Sequence, residues 1–357
     1  MSANERARRP IRVLPPALAA RIAAGEVIER PASVVKELVE NALDAGARQI
    51  RIEVRGGGLT LIRVSDDGIG IPPDELPLAC QRHATSKLPG DDLTQIRTLG
   101  FRGEALPSIA AVAELTLVSA ADDSGVGRRL TLRDGAVAVD EPAPRPRGTT
   151  VTVCRLFQNV PARLAAAGHP QAEVALISQT VRRLALAAPH ARMTLKVDER
   201  QVLQTSGSGD RATTLIELYG PALAGRLQPL GPIEVAGACI SGLIADPEVT
   251  RPGRNQVHVI VNDRWTQPRG LLTTIEAAYR PLLPRGRHPV LVLVIETEPN
   301  KVDVNIHPSK LEVRLLAEQE IARAVEELIR TVLGRRLRSL QLPPRVDFDP
   351  GYSAPGR

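Results

Sequence analysis

Between Pro31 and Ala45, residues Val34, Val35, Leu38, Val39, Ala42 and Leu43 recur at helical spacing, while Glu37, Asn41 and Asp44 stand at i, i+4 and i+7 on another face. A helix with one apolar stripe must bury it against a second layer. Pro31 suits a first turn and Gly46 a C-cap, so both ends have a physical cause. The second layer follows at once. Ile50, Ile52 and Val54 alternate with Arg51, Glu53 and Arg55, Gly56 to Gly58 turns the chain, and Leu59 to Val64 runs back, which predicts a β-hairpin. Further strands are expected at Leu115 to Ser119, Leu130 to Leu132, Ala136 to Val139 and Thr149 to Val153, in the same antiparallel sheet, with a helix from about Glu173 to Ala188. Helices beside an antiparallel sheet make an α+β fold.

The chain has 357 residues, long enough for two or three domains at ~100–200 residues each. The T-S-G-S-G-D stretch from Thr205 to Asp210 has linker composition. Past it, strands are predicted at Ala238 to Leu243, Gln256 to Val261 and Val290 to Glu296, with a helix from Gly270 to Tyr279 that makes a βαβ crossover. A last helix runs from about Ala317 to Leu340. The expected organisation is a flexible tail at 1–12, a first domain at 13–207, a smaller α/β domain at 208–340 and a tail from 341. The apolar run Val290 to Ile295 is far below the ~20 residues that span a bilayer, so no membrane span is expected. Cys80, Cys154 and Cys239 lack any C-x-x-C spacing, and a reducing cytoplasm is the expected location.

The net charge of +6 favours an anionic partner without naming one. Its distribution is more telling, because Arg251, Arg254, Arg264, Arg269, Arg280, Arg285 and Arg287 face only Asp263 and Glu276 in that stretch. Aromatic residues make up 2%, too few for base stacking to be the main grip on a nucleic acid, so backbone contacts are expected instead. No Gly-Lys dipeptide occurs, which excludes a Walker A loop. Gly207, Gly209 and Ala212 form a G-x-G-x-x-A string without a clear βαβ unit, and the linker reading is preferred.

Four segments carry chemistry together. Glu37 and Asn41 place a carboxylate and an amide oxygen one turn apart. Asp66-Asp67-Gly68-Ile69-Gly70 sets a carboxylate at a strand end beside glycines that let a planar ring approach. Gly100 to Leu106 is a Gly-bounded loop entering a helix, a geometry whose free N–H groups bind phosphate. Gly148-Thr149-Thr150 begins a strand and offers a hydroxyl.

In this order V-V-K-E-L-V-E-N-A-L-D-A-G, D-D-G-I-G, R-H-A-T-S-K, G-F-R-G-E-A-L and D-V-N-I-H-P-S-K resemble the N-terminal half of the MutL family of DNA mismatch repair ATPases, from about Ile11 to Leu340. The resemblance implies a Bergerat-type ATP-binding α/β sandwich, shared with gyrase-type topoisomerases, a heat-shock chaperone and sensor histidine kinases, followed by a ribosomal-protein-like second domain. It implies ATP and Mg²⁺ as cofactors. Glu37 becomes the general base, Asn41 the Mg²⁺ ligand and Asp66 the acceptor for the adenine amino group, with Thr149 assisting through water. Gly68 and Gly70 admit the nucleotide. Thr85, Ser86 and Lys87, with Gly100, Phe101, Arg102 and Gly103, would close over the phosphates as a lid, and Lys310 would reach the γ-phosphate from the second domain. The implied partners are duplex or single-stranded DNA bound without sequence preference, a second copy of the chain joined on ATP binding through the segment Pro16 to Glu29, a MutS-type mismatch-recognition protein and a downstream nuclease or helicase. The implied setting is the bacterial cytoplasm, on the nucleoid when active. Arg264 and Arg269 are the expected DNA contacts.

Two departures are local: Asn262-Asp263-Arg264 replaces Asn-Gly-Arg, and F-Q-N-V-P-A-R at Phe157 to Arg163 replaces F-Y-N-T-P-A-R. Full family members continue into a dimerisation domain that in many carries an endonuclease, and none is expected within these residues. A sensor-kinase catalytic domain would not need Lys310 from a second domain, and a clamp without turnover would not need Glu37.

Overall fold

Residues 12–88, 98–100, 102–303 and 313–341 are described by a computed structural model of the chain. Phe101, Lys310, His307, the tail up to residue 11 and the residues from 342 onward lie outside the described residues.

The chain enters through α1 (Pro16–Val27) and α2 (Pro31–Asp44), then the hairpin of β1 (Gln49–Arg55) and β2 (Leu61–Asp66). Next come α3 (Ala105–Val112), β3 (Glu114–Ala120), β4 (Val126–Arg133), β5 (Ala136–Pro144) and β6 (Gly148–Cys154). After α4 (Pro161–Ala166) and α5 (Pro170–Ala187), β7 (Arg192–Val197) and β8 (Arg200–Gln204) complete an eight-stranded sheet in the order β5-β4-β3-β6-β2-β1-β7-β8. All neighbours are antiparallel except β1 and β7. The period-two pattern works as expected in β1, where Ile50, Ile52 and Val54 are buried while Arg51 and Arg55 are exposed. The apolar stripe of α2, with Val34, Val35, Leu38, Val39 and Ala42, joins the same core. Burying a Val or Leu side chain contributes about 1.5–3 kcal/mol, so this stripe fixes which way the helix faces.

The segment at 205–210 leads into α6 (Arg211–Tyr219), which Asp210 caps by accepting the Ala212 and Thr213 amides at 3.1 and 2.8 Å. Leu215 and Leu218 of α6 pack into the first core. A second sheet follows, from β9 (Leu227–Val235), β10 (Ala238–Ala245), β11 (Val257–Val261), β12 (Arg264–Thr266) and β13 (Leu291–Thr297), in the order β12-β11-β13-β10-β9. Strands β11 and β13 are parallel and joined through α7 (Arg269–Tyr279), the crossover expected from sequence.

Central strand β13 is buried on both faces, which explains its unbroken apolar run. Leu291, Leu293 and Ile295 meet α7 and α8 (Glu318–Gln341) in a second core, whereas Val292 and Val294 belong to the first. The second sheet therefore shares one face with the first core, and its other face builds the second. Among the described residues no helix is long and apolar enough to cross a membrane.

Candidate active site

Helix α2 ends in the way its sequence requires. Gly46 takes φ = 71°, donating to the Leu43 carbonyl at 2.9 Å, and the Ala47 amide reaches back to the Ala42 carbonyl at 3.1 Å. The chain is thereby turned so that the Asp66–Gly70 loop lies against the helix end, where the Ile69 amide donates to the Ala45 carbonyl at 3.0 Å. A Cβ on Gly68 would lie 2.8 Å from that carbonyl oxygen, and one on Gly70, at φ = +73°, would lie 1.9 Å from the Ala120 carbonyl oxygen. Both glycines are required by close approach of backbone to backbone.

Asp66 closes β2 with its carboxylate held but only half engaged. Its Oδ1 accepts the Gly68 amide at 2.9 Å and the Thr149 amide at 3.2 Å, while Oδ2 makes no hydrogen bond among the described residues. Burial pushes its carboxyl above the usual aspartate range, against the pull of the Gly68 and Thr149 amides and of Arg145. Arg145 fixes the backbone here, donating to the Asp66 carbonyl at 2.8 Å and the Gly148 carbonyl at 2.9 Å. Thr149 is buried, with its hydroxyl 2.9 Å from that of Ser119. Ser119 spends its proton on the Gly148 carbonyl at 3.1 Å, so Thr149 donates to Ser119 and keeps its lone pairs as acceptors.

One turn back on α2, the polar face is charged and organised. Lys36 reaches Glu37 Oε1 at 3.3 Å and Glu40 Oε1 at 3.0 Å. Burial lowers the Lys36 pKa, but the two carboxylates outweigh it and the net shift is upward, so the ammonium stays charged. Lys87 Nζ lies 2.6 Å from both Asn41 Oδ1 and Asp44 Oδ2. Asp44, almost buried, also accepts the Leu99 amide on Oδ1 at 2.8 Å and the Gly100 amide on Oδ2 at 3.0 Å. These two oxygens of α2 converge on one cation. Among the described residues no group of three or more His, Cys, Asp or Glu could hold a metal. Asn41 Oδ1 is a single neutral oxygen, a donor that fits an ion such as Mg²⁺, which keeps phosphate oxygens and waters in most of its shell.

The structure brings together most of the residues expected here. Glu37, Asn41 and Lys87 share the α2 face, and Gly100 lies on it, a Cβ there meeting Lys87 Nζ at 3.3 Å. Gly103, at φ = +62°, runs so close to the Thr85 loop that a Cβ would lie 2.5 Å from the Ala84 carbonyl oxygen. Thr85 Oγ1 accepts the Lys87 amide at 3.1 Å, and Thr85, Ser86 and Arg102 are exposed. Asp66, Gly68, Gly70 and Thr149 lie together beside the C-terminal end of α2.

Arg264 is the exception. Expected on a DNA-facing surface, it is only 7% exposed, and its Nη2 donates to the Thr98 and Leu99 carbonyls at 3.2 and 2.9 Å. The hairpin turn at Asn262 and Asp263, both with positive φ, aims it inward beside Val261. Arg269, at the start of α7, is exposed. Sequence reasoning gave no role to Lys36, Asp44, Ser119 or Arg145. Asp44 alone had a signal, its place at i+7 from Glu37.

A family model described as histidine kinase-, DNA gyrase B- and HSP90-like ATPase matches residues 26–159, and one described as DNA mismatch repair protein, C-terminal domain, matches residues 215–334. The DNA mismatch repair protein MutL of Symbiobacterium thermophilum is 46% identical over 328 residues, 92% of this chain and 52% of that protein. The chain belongs to the MutL family. The MutL of Geobacillus thermodenitrificans is likewise 46% identical, over 93% of this chain and 51% of its own length. The chain thus spans about half the length of the curated MutL relatives it matches. Among solved structures, the N-terminal domain of a DNA repair protein superposes with a TM-score of 0.75 at 24% identity, covering 91% of this chain and 100% of that one. The Aquifex aeolicus MutL ATPase domain complexed with ADP gives 0.61 at 23% identity, covering 87% and 98%. These likenesses establish the fold, the sandwich that the MutL-like motifs implied, within which residues 26–159 are the part matched by the histidine kinase-, DNA gyrase B- and HSP90-like ATPase model.

Proposed function

We propose that this chain binds ATP between α2 and the Asp66–Gly70 loop, hydrolyses it there, and uses the cycle to join and release a pair of copies around DNA during mismatch repair. One observation carries the reading: Glu37, Asn41 and Asp44 line one face of α2, beside the Asp66–Gly70 loop on which Asp66 keeps Oδ2 without a hydrogen bond among the described residues. Asp66 Oδ2 accepts a hydrogen bond from the adenine amino group, which guanine replaces by a carbonyl, and Thr149 steadies a water at the same ring edge. The Leu99 and Gly100 segment and Lys87 lie where the phosphates follow, and Lys310 supplies a point charge at the γ-phosphate. When bound, Mg²⁺ held by Asn41 neutralises phosphate charge. Glu37 orients the water that attacks the γ-phosphorus and takes its proton, as the bond to the bridging oxygen breaks and ADP leaves.

The apolar side chains of Val13, Leu14 and Ile22, at or before α1, are exposed, which favours this N-terminal arm as the element that reaches the second copy. Exposed Arg254, Arg269, Arg280, Arg285 and Arg287 suit the phosphate backbone of DNA, in a cytoplasmic repair pathway with a MutS-type protein upstream and a nuclease or helicase downstream. The test is solution mass with and without a non-hydrolysable ATP analogue. The proposal expects the mass to double with the analogue; an unchanged mass at saturating analogue would remove the clamp from the reading.

A further inference from the structure

Arg264 belongs to the second sheet, yet its guanidinium ends against the phosphate-facing segment of the first domain. Its hydrogen bonds reach the Thr98 and Leu99 carbonyls, whose peptide units continue as the Leu99 and Gly100 amides bound to the Asp44 carboxylate. Two peptide groups are therefore held in parallel between a buried cation and a buried anion. Each is polarised from both ends, the arrangement in which hydrogen bonds reinforce one another. Asp44 in turn holds Lys87, and Lys87 holds Asn41. Arg264 also borders Lys36, close enough for their like charges to oppose each other. Its Nη1 is buried without a hydrogen-bond partner among the described residues, a cost that only firm engagement of Nη2 offsets.

The residue after Arg264 anchors the same hairpin to the rest of the joint. Trp265 lies under the Arg183 guanidinium at 3.8 Å and donates Nε1–H to His258 Nδ1 at 3.1 Å. His258 therefore carries its proton on Nε2, which donates to the Tyr219 hydroxyl at 2.9 Å. Arg183 sits on α5 and Tyr219 on α6, both packed on the first domain. Strand β12 is thus clamped on the first domain at two consecutive residues, one at the phosphate-facing segment and one at α5.

We infer that Arg264 is a positioning residue for nucleotide binding: through the Thr98–Gly100 peptides and Asp44, it ties the placement of the second sheet to that of the Lys87 and Asn41 side chains. The inference rests on the ATP reading of the site. Without the guanidinium, the Leu99 and Gly100 amides and Asp44 populate other arrangements, and the fraction of the protein competent to bind falls. Apparent affinity falls by that fraction, while saturating nucleotide restores the competent form.

The experiment compares the parent chain with Arg264→Lys and Arg264→Met, measuring ATP hydrolysis against ATP concentration, melting temperature and amide exchange at Leu99 and Gly100. The expected result is a KM for ATP raised about tenfold to a hundredfold in Arg264→Met, the range for losing charge-assisted hydrogen bonds, with kcat within about threefold of the parent. Faster exchange at the two amides should accompany it. Arg264→Lys keeps the buried charge but lacks the planar fork, so it should fold and show an intermediate KM. A kcat loss at unchanged KM in either folded variant, or an unchanged KM in Arg264→Lys with parental exchange at Leu99 and Gly100, overturns the inference. Glu37→Ala, run alongside, separates the two claims: if it still hydrolyses ATP, the reading of the site fails, whereas a parental KM in the Arg264 variants beside an inactive Glu37→Ala sinks the Arg264 role alone.

Discussion

Replacing Asp66 by asparagine should separate recognition of the base from the integrity of the fold. The amide oxygen of Asn can take over both bonds that Asp66 Oδ1 now accepts, from Gly68 at 2.9 Å and Thr149 at 3.2 Å. What changes is the other corner, where an NH₂ replaces Oδ2 and faces the adenine amino group donor to donor. Losing one hydrogen bond to a charged group costs about 1.5–3 kcal/mol, so the Kd for ATP should rise roughly 10- to 150-fold. Stability should move the opposite way. Because burial raises the Asp66 carboxyl above its ordinary 3.8, the folded chain binds more protons than the unfolded chain in the window above that value. Stability then falls as pH rises through the window, and at neutral pH the charged form is a burden that Asp66→Asn lifts. Isothermal titration with ATP and a thermal melt at neutral pH without nucleotide make the test. The expected outcome is weak binding with a melting temperature equal to or above the parent's. Parental affinity would mean that adenine is read elsewhere, and a melting temperature several degrees lower would mean that the Oδ1 bonds do not survive the exchange.

Asn41→Ala should abolish the magnesium dependence of ATP affinity, measured by titrating nucleotide at a series of Mg²⁺ concentrations; an unchanged dependence would take the metal away from Asn41. Gly70→Ala should destabilise the fold by more than about 2 kcal/mol in a denaturant melt, since a Cβ there meets the Ala120 carbonyl oxygen at 1.9 Å with φ at +73°; a parental midpoint would contradict the close approach. Burial and Arg183 lower the His258 pKa from 6.5 to about 3, so the unfolded chain binds the extra proton between those values and stability falls on acidification through that window. His258→Gln should flatten this acid limb, and an unaltered limb would show that other groups carry it. Arg269→Glu should weaken duplex DNA binding and reduce the salt slope by about one unit or more while sparing ATP turnover without DNA; a wild-type slope would leave the basic excess as composition alone.

Those portions of the site that lie on one regular element were legible from sequence. Helical spacing placed Glu37, Asn41 and Asp44 on a common face, and alternation placed Ile50, Ile52 and Val54 inward. Strand β9 was not legible, because Pro229 and Pro232 argue against a strand; they are tolerated since β9 is an edge strand and its register against β10 shifts between Ile240 and Gly242. The charge count from Arg251 to Arg287 misread Arg264 because a sum along the chain ignores which side chains turn inward. The signal was present: a two-residue Asn-Asp turn after V-H-V-I-V sets Arg264 directly opposite Val261 in a hairpin, beside a strand with no polar face to the solvent. The role of Lys36 depends on burial beside Glu37 and Glu40, which spacing alone does not reveal.

The central claim is that Glu37 acts on water while the rest of the α2 face and Asp66 hold the nucleotide. Single-turnover hydrolysis and equilibrium ATP affinity, measured together on Glu37→Ala, test it most directly. The account predicts that hydrolysis falls by at least a hundredfold while ATP affinity stays within a few-fold of the parent. Hydrolysis at the parental rate, or a loss of affinity as large as the loss of rate, would contradict it.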